Sequence, residues 1–189
     1  MKIKLSEIVN KVKEVILNPK AFWKSQKEKE EDLSVLLGAY FLPILLVVVL
    51  VVFLGEFFRS AHFYIMFALL KAVREFVLFL LAFFALVYFT NTLIKTFGGE
   101  KNIKRVRQLV TYSFTPFLLV SLITGLFPFL YPIDILGVYS FYIFWEGGKE
   151  LLTLPEQKRD SYLILTIMVN FFVFGILSIF LSKLLTTYF

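Results

Sequence analysis

The sequence predicts an all-α, polytopic membrane protein with five transmembrane helices and an N-terminal amphipathic segment in the cytoplasm. Three observations carry this. Of the 189 residues 59% are hydrophobic, with 24 Phe and 9 Tyr, a share far above that of a soluble domain. Four uncharged runs, 33–54, 76–94, 109–133 and 161–182, match the about 20 helical residues that a hydrocarbon core of about 30 Å requires. The charged residues collect between those runs, where loops and interfaces belong.

The leader, residues 1–32, holds 8 Lys and 6 acidic residues and has no apolar core, so it is not a secretory signal peptide. Leu5, Ile8, Val9, Val12 and Ile16 follow helical spacing, with Lys2, Lys4, Lys11 and Lys13 among the polar positions. Such a basic amphipathic helix lies flat on an anionic membrane surface or packs on the protein's own loops. Asn18-Pro19 starts a second short helix, because Asn can cap orphan amides and Pro loses nothing at the first helical position. In that helix Phe22 and Trp23 suit the membrane interface, and 24–32 reads as a solvated, charge-dense linker. The chain thus divides into a leader, 1–32, and a membrane domain, 33–189.

The first span, 33–54, contains Pro43 and should kink there. Residues 63–70 are apolar but too short to cross, so they form an outer interfacial helix or extend the next span. Lys71, Arg74 and Glu75 mark the outer interface and anchor depth, and the second span follows at 76–94. A basic loop, 95–108, leads to the third span at about 109–130, kinked at Pro116 and ended by Pro128 and Pro132. The fourth, about 133–152, is the short one, since only 135–145 is uncharged. To cross, it places Asp134 at the outer interface and Glu146, Lys149 and Glu150 in its last turns, with Glu146 and Lys149 close enough to pair. A re-entrant hairpin is the competing reading. The fifth span is 161–182.

Five spans put 16 Lys and Arg on the N-terminal side and 4 on the other, Arg59, Lys71, Arg74 and Lys183. Without the fourth crossing the split is 14 to 6. The larger asymmetry favours five spans, the N-terminus in the cytoplasm and the C-terminus outside, in the plasma membrane.

The absence of Cys excludes disulfides, thiolate nucleophiles and sulfur metal sites, and the single histidine, His62, excludes two-histidine zinc proteases. Ionisable residues at bilayer depth are the default functional candidates. They are Asp134, which is equally a helix-start carboxylate, and Glu146 with Lys149, equally a helix end. Asn91, Thr111, Ser113, Thr115 and Asn170 suit hydrogen bonds between helices. Gly147 and Gly148 permit close helix approach or a kink. No catalytic, cofactor-binding or metal-binding set is visible, and Gly98-Gly99 is a turn with no phosphate-binding pattern after it. The basic residues lie beside spans, which argues against nucleic acid.

Gly98-Gly99, then Lys101, Lys104, Arg105 and Arg107, then Tyr112-Ser113 and Pro116, resemble the loop and third-helix start of the Yip1 domain family. The leader Asn18-Pro19-Lys20-Ala21-Phe22-Trp23 is similar to the segment before the first helix in its prokaryotic members, and Tyr139, Gly147, Pro155, Lys158 and Tyr162 fit the fourth helix, short loop and fifth helix. The resemblance implies a small five-span protein with a cytoplasmic N-terminus, akin to eukaryotic relatives that act in vesicle trafficking and bind Rab-type GTPases. The chain lacks the acidic-Leu-Tyr-Gly-Pro signature of those relatives at the first helix, which weighs against GTPase binding.

The expected function is a non-enzymatic organiser of membrane partners. Lys101, Lys104, Arg105 and Arg107, with Lys11 and Lys13, are the candidate contacts to anionic lipid or a protein partner, and self-association is compatible with this. A small oligomeric permease or channel, with Asp134 near its pathway, is the alternative. A lipid-modifying membrane enzyme would need a catalytic constellation that the chain does not display.

Overall fold

The computed structural model describes residues 5–58 and 63–187, and all regular structure among them is helical. Lys2, Lys4, Arg59 and His62 lie outside the described residues. The leader forms α1 (Leu5–Leu17) and α2 (Pro19–Gln26). Pro19 begins α2 as expected, but the Asn18 side chain makes no capping bond; its carbonyl accepts from Phe22 N at 2.9 Å.

Among the described residues four helices are long and apolar enough to cross a membrane: Leu33–Phe58, Ile65–Thr96, Ile103–Leu126 and Glu156–Leu185. The first contains α3 (Leu33–Leu36), a π-helical turn (Leu37–Phe41), α4 (Leu42–Gly55) and a 3-10 turn (Glu56–Phe58). The π turn sits just before Pro43, whose missing N–H interrupts the regular ladder there. Next comes α5 (Ile65–Thr96), so the apolar stretch 63–70 is mainly the first turns of the second long helix, not a separate interfacial helix. Gly98, at φ 78°, closes α5 with bonds from Gly98 N to Lys95 O and from Gly99 N to Ile94 O, both 3.0 Å.

The third long helix starts earlier than its uncharged run. Asn102 Oδ1 caps α6 (Ile103–Ser113) by accepting from Lys104 N at 3.1 Å and Arg105 N at 3.2 Å. Lys104, Arg105 and Arg107 therefore sit on a helix, not in a loop. The helix breaks at Phe114 and resumes as α7 (Thr115–Leu126). Pro116 cannot donate, and the Thr115 hydroxyl bonds the Tyr112 carbonyl at 2.7 Å in its place.

The predicted fourth helix, 133–152, is not continuous. Pro128–Val138 is 3-10 helical in two pieces kinked at Leu130, with Pro132 in the second, and only Tyr139–Leu151 is α-helical, α8. The two prolines remove donors from consecutive turns, which a tight 3-10 stretch tolerates better than an α-helix. The stretch packs on α7 and α8 packs on α6, and Glu100 N bonds Thr153 O at 3.2 Å, so the chain returns to the level of the α5 end. The last helix is α9 (Glu156–Thr187), which packs on α5.

The core is largely aromatic. Phe41, Phe79, Phe83 and Phe114 are buried, and Phe117 stacks on Phe174 with centroids 5.0 Å apart. Glycines set the closest approaches: a Cβ on Gly55 would meet the backbone of Gly125 on α7, and Gly147 and Gly148 abut Trp23 and Leu163 as their small size suggested. Around this core α9 turns Ile164, Met168, Phe171, Phe172, Ile176 and Phe180 outward. A lipid-facing helix needs such a surface; water would penalise it.

Candidate functional site

Two polar assemblies stand out, one at each end of the bundle. At the leader end, α1 and α2 belong to the same apolar cluster as α6 and α8. Phe22 and Trp23, expected at the interface, are 2% and 0% exposed. Trp23 fits beside Gly147, its Nε1–H donates to Ile143 O at 3.0 Å, and its edge meets Tyr112 at 6.0 Å between centroids. Gly147 makes room for the indole, and the bond satisfies a donor that burial would otherwise penalise.

Around this aromatic plug the leader's acids neutralise the bundle's bases. Lys11 Nζ donates to Glu31 at 2.9 Å and to the Tyr112 hydroxyl at 2.7 Å, and Tyr112 in turn donates to Glu31. Arg105 holds the carbonyls of Gln26 and Lys29 at 3.0 and 3.2 Å and pairs with Glu30 at 3.4 Å. Asn102 also donates to Glu30, at 2.9 Å, and Lys104 pairs with Asp32 at 3.2 Å. Below, the Tyr40 hydroxyl bonds Thr115 at 2.7 Å; the Thr115 proton is committed to Tyr112 O, so Tyr40 is the donor. The stretch 24–32 is largely exposed, as expected of a solvated linker, and these bonds tie it to the bundle as a docked strap.

Of the six basic residues singled out in the sequence, Lys11, Lys104 and Arg105 are engaged within the chain. Lys13 and Lys101 are exposed, and Arg107 is half-buried with its carbonyl accepting from Thr111 at 2.8 Å. Glu146 and Lys149 form no ion pair; Lys149 lies over the Trp145 ring, 4.8 Å from its centroid. The ring offers the ammonium an attractive face, which competes with a surface pair worth little.

The other end holds Lys71, Arg74 and Glu75, expected to anchor depth at the outer interface, together with Glu56. Glu56 is 5% exposed and pairs with Lys71. One turn on, Arg74 pairs with Glu75 at 2.8 Å and donates to the Ser178 and Ser182 hydroxyls at 2.9 and 2.8 Å, tying α5 to α9. Of these, Lys71, Arg74, Glu75 and Ser178 line a cavity of about 550 Å³ bounded by α4, α5, α7, the 3-10 stretch and α9. Asp134 lines its far wall and accepts from Thr124 Oγ1 at 2.9 Å. Positions 71, 74, 75 and 78 share one helix face, a spacing that marks them as inward-facing despite their charge. Among the described residues no group of three His, Asp or Glu side chains could hold a metal ion.

Between the two ends, Ser113 Oγ and Asn170 Oδ1 are buried without a partner among the described residues, and Asn170 Nδ2 reaches Thr90 at 3.4 Å. This middle layer carries hydroxyls and amides but no charge, in keeping with a bilayer interior.

The chain was compared with known proteins on this basis. No curated protein and no solved structure matches it. The family model of the Yip1 domain matches residues 13–177, from α1 through most of α9. With that match covering most of its length, and with its long apolar helices, the chain belongs to the Yip1 domain family of integral membrane proteins.

Proposed function

We propose that this protein crosses the plasma membrane five times, N-terminus in the cytoplasm and C-terminus outside, and that its leader end is a non-enzymatic platform for anionic lipid and a protein partner. The docked leader carries the reading. An interlock of Trp23, Tyr112, Glu30, Glu31 and Arg105 holds α1 in a fixed attitude against the bundle. So held, α1 buries Ile8 and Val15 while Leu5 and Leu17 stay 73% and 71% exposed. A preorganised amphipathic helix loses less ordering entropy on meeting a membrane or a partner than a loose one. Lys13 and Lys101, not consumed within the chain, supply the charge.

The fifth crossing rests on the 11-residue 3-10 stretch followed by the 13-residue α8. Past the kink at Leu130, 131–138 and α8 at about 2.0 and 1.5 Å per residue reach about 35 Å, enough for a core of about 30 Å. The orientation rests on the excess of Lys and Arg on the leader side.

The test is photocrosslinking from Lys13 and Lys101 of the full chain in native membranes. A discrete lipid or protein adduct that disappears on charge reversal of the other basic position supports the platform. Adducts only to further copies of the chain point to self-association instead. A second reading, a small oligomeric permease, draws on the polar cavity at the opposite end; solute flux in proteoliposomes that falls in Asp134→Asn would favour it.

A further inference from the structure

The cavity at the end opposite the leader has a charge pattern that the platform does not use. Lys71 and Arg74 on α5 line a cavity together with Glu75 and Asp134, and Glu56, which does not line it, pairs with Lys71. Two of the three carboxylates are committed to the two cations. Asp134 has only its bond from Thr124 and no counter-ion among the described residues. On the cationic side, Arg74 Nε is buried without a hydrogen-bond partner among the described residues. The cavity therefore has two cations on one wall, with Arg74 Nε still unbonded, and a carboxylate without a counter-ion on another. A ligand complementary to both carries an anionic acceptor and a cationic donor. A purely anionic ligand would add its charge to a cluster whose net charge is already −1, three carboxylates against two cations.

The volume, about 550 Å³, lies in the range of small-molecule sites. Its surroundings distinguish a lipid from a soluble zwitterion. Arg74 also forms part of the wall of a second recess, about 210 Å³, between α5 and α9. Apart from Arg74 its lining is aliphatic, with Leu70, Val73 and Val77 facing Leu181, Leu184 and Leu185. On the 3-10 stretch that carries Asp134, Phe129, Ile135 and Leu136 are 68%, 72% and 61% exposed, apolar surface suited to acyl chains.

We propose that this cavity binds the headgroup of an aminophospholipid, its phosphate held by Arg74 and Lys71, its ammonium by Asp134, and an acyl chain along the recess between α5 and α9. The test uses the full chain, delipidated in mild detergent, with phosphatidylethanolamine, phosphatidylcholine and phosphatidylglycerol of identical acyl chains, read by native mass spectrometry. Retention of phosphatidylethanolamine about tenfold above the other two is expected, since methylation removes the N–H donors and glycerol removes the cation. In Asp134→Asn the preference should collapse to within about twofold, with the melting temperature held near that of the wild type. Equal retention of the three lipids by the wild-type protein overturns the proposal without recourse to any variant. So does an unchanged preference in Asp134→Asn, or displacement of the lipid by millimolar phosphoethanolamine, which would assign the cavity to a soluble zwitterion.

Discussion

Replacing Gly55 by Ala tests a contact in which α4 and α7 meet backbone to backbone. A Cβ at Gly55 would fall against the carbonyl oxygen of Gly125 and lie 3.2 Å from the Leu126 Cα. Both obstacles are backbone, so no rotamer change relieves them and α4 must move away from α7. Overpacking of this kind costs about 1–3 kcal/mol. For a chain of this size that corresponds to a fall of roughly 2–12 °C in the melting temperature. Gly175→Ala is the matched control. Gly175 lies within α9 and nothing comes within 4 Å of its added Cβ. There the methyl should stabilise the helix by about 0.5–1 kcal/mol and raise the midpoint by roughly 1–4 °C. Thermal unfolding of both variants in the same lipid nanodiscs, followed by helicity, gives the comparison. Equal midpoints for the two would refute the claim that backbone contact at Gly55 joins these helices.

Other substitutions probe the remaining contacts. Trp23→Ala removes a fully buried indole and its bond to Ile143, a loss of about 3–5 kcal/mol at the leader, so trypsin should cut at Lys24–Lys29 much faster while α5 and α9 stay protected. Arg74→Ala strips Glu75 of its counter-ion and α5 of its ties to Ser178 and Ser182; about 3–5 kcal/mol should be lost and partly restored in Arg74→Lys, read by the same thermal assay. Lys104→Ala breaks only the exposed pair with Asp32 and should shift stability by no more than about 1 kcal/mol. Because the chain has no cysteine, single Cys residues at Lys101, Gln157 and Tyr131 report topology without background. Lys101 and Gln157 should label from one side of the membrane and Tyr131 from the other; opposite labelling of Lys101 and Gln157 would rule out the crossing by the 3-10 stretch and α8.

The sequence by itself determined the class, because lipid imposes a one-dimensional rule: backbone donors and acceptors must be satisfied within the segment, so long uncharged runs can only be helices. That is why the four long helices, the disruptions near Pro43 and Pro116, and the room made by Gly147 and Gly148 were legible from composition and spacing. Only the tertiary structure decided where the charged and amphipathic residues went. Trp23 reads as an interface residue on its own helix, and becomes core because Gly147, more than a hundred positions later, leaves a gap of its shape. Arg105 and Lys104 read as a basic patch, and become the anchor of a strap because Glu30 and Asp32 are brought against them. Lys71, Arg74 and Glu75 read as depth markers, since next to a span a charge ordinarily faces water. They line a cavity because α7, the 3-10 stretch and α9 pack around them. Local periodicity fixes which residues share a helix face, but the partner of that face, and so the free energy of any charge on it, depends on contacts distant in the chain.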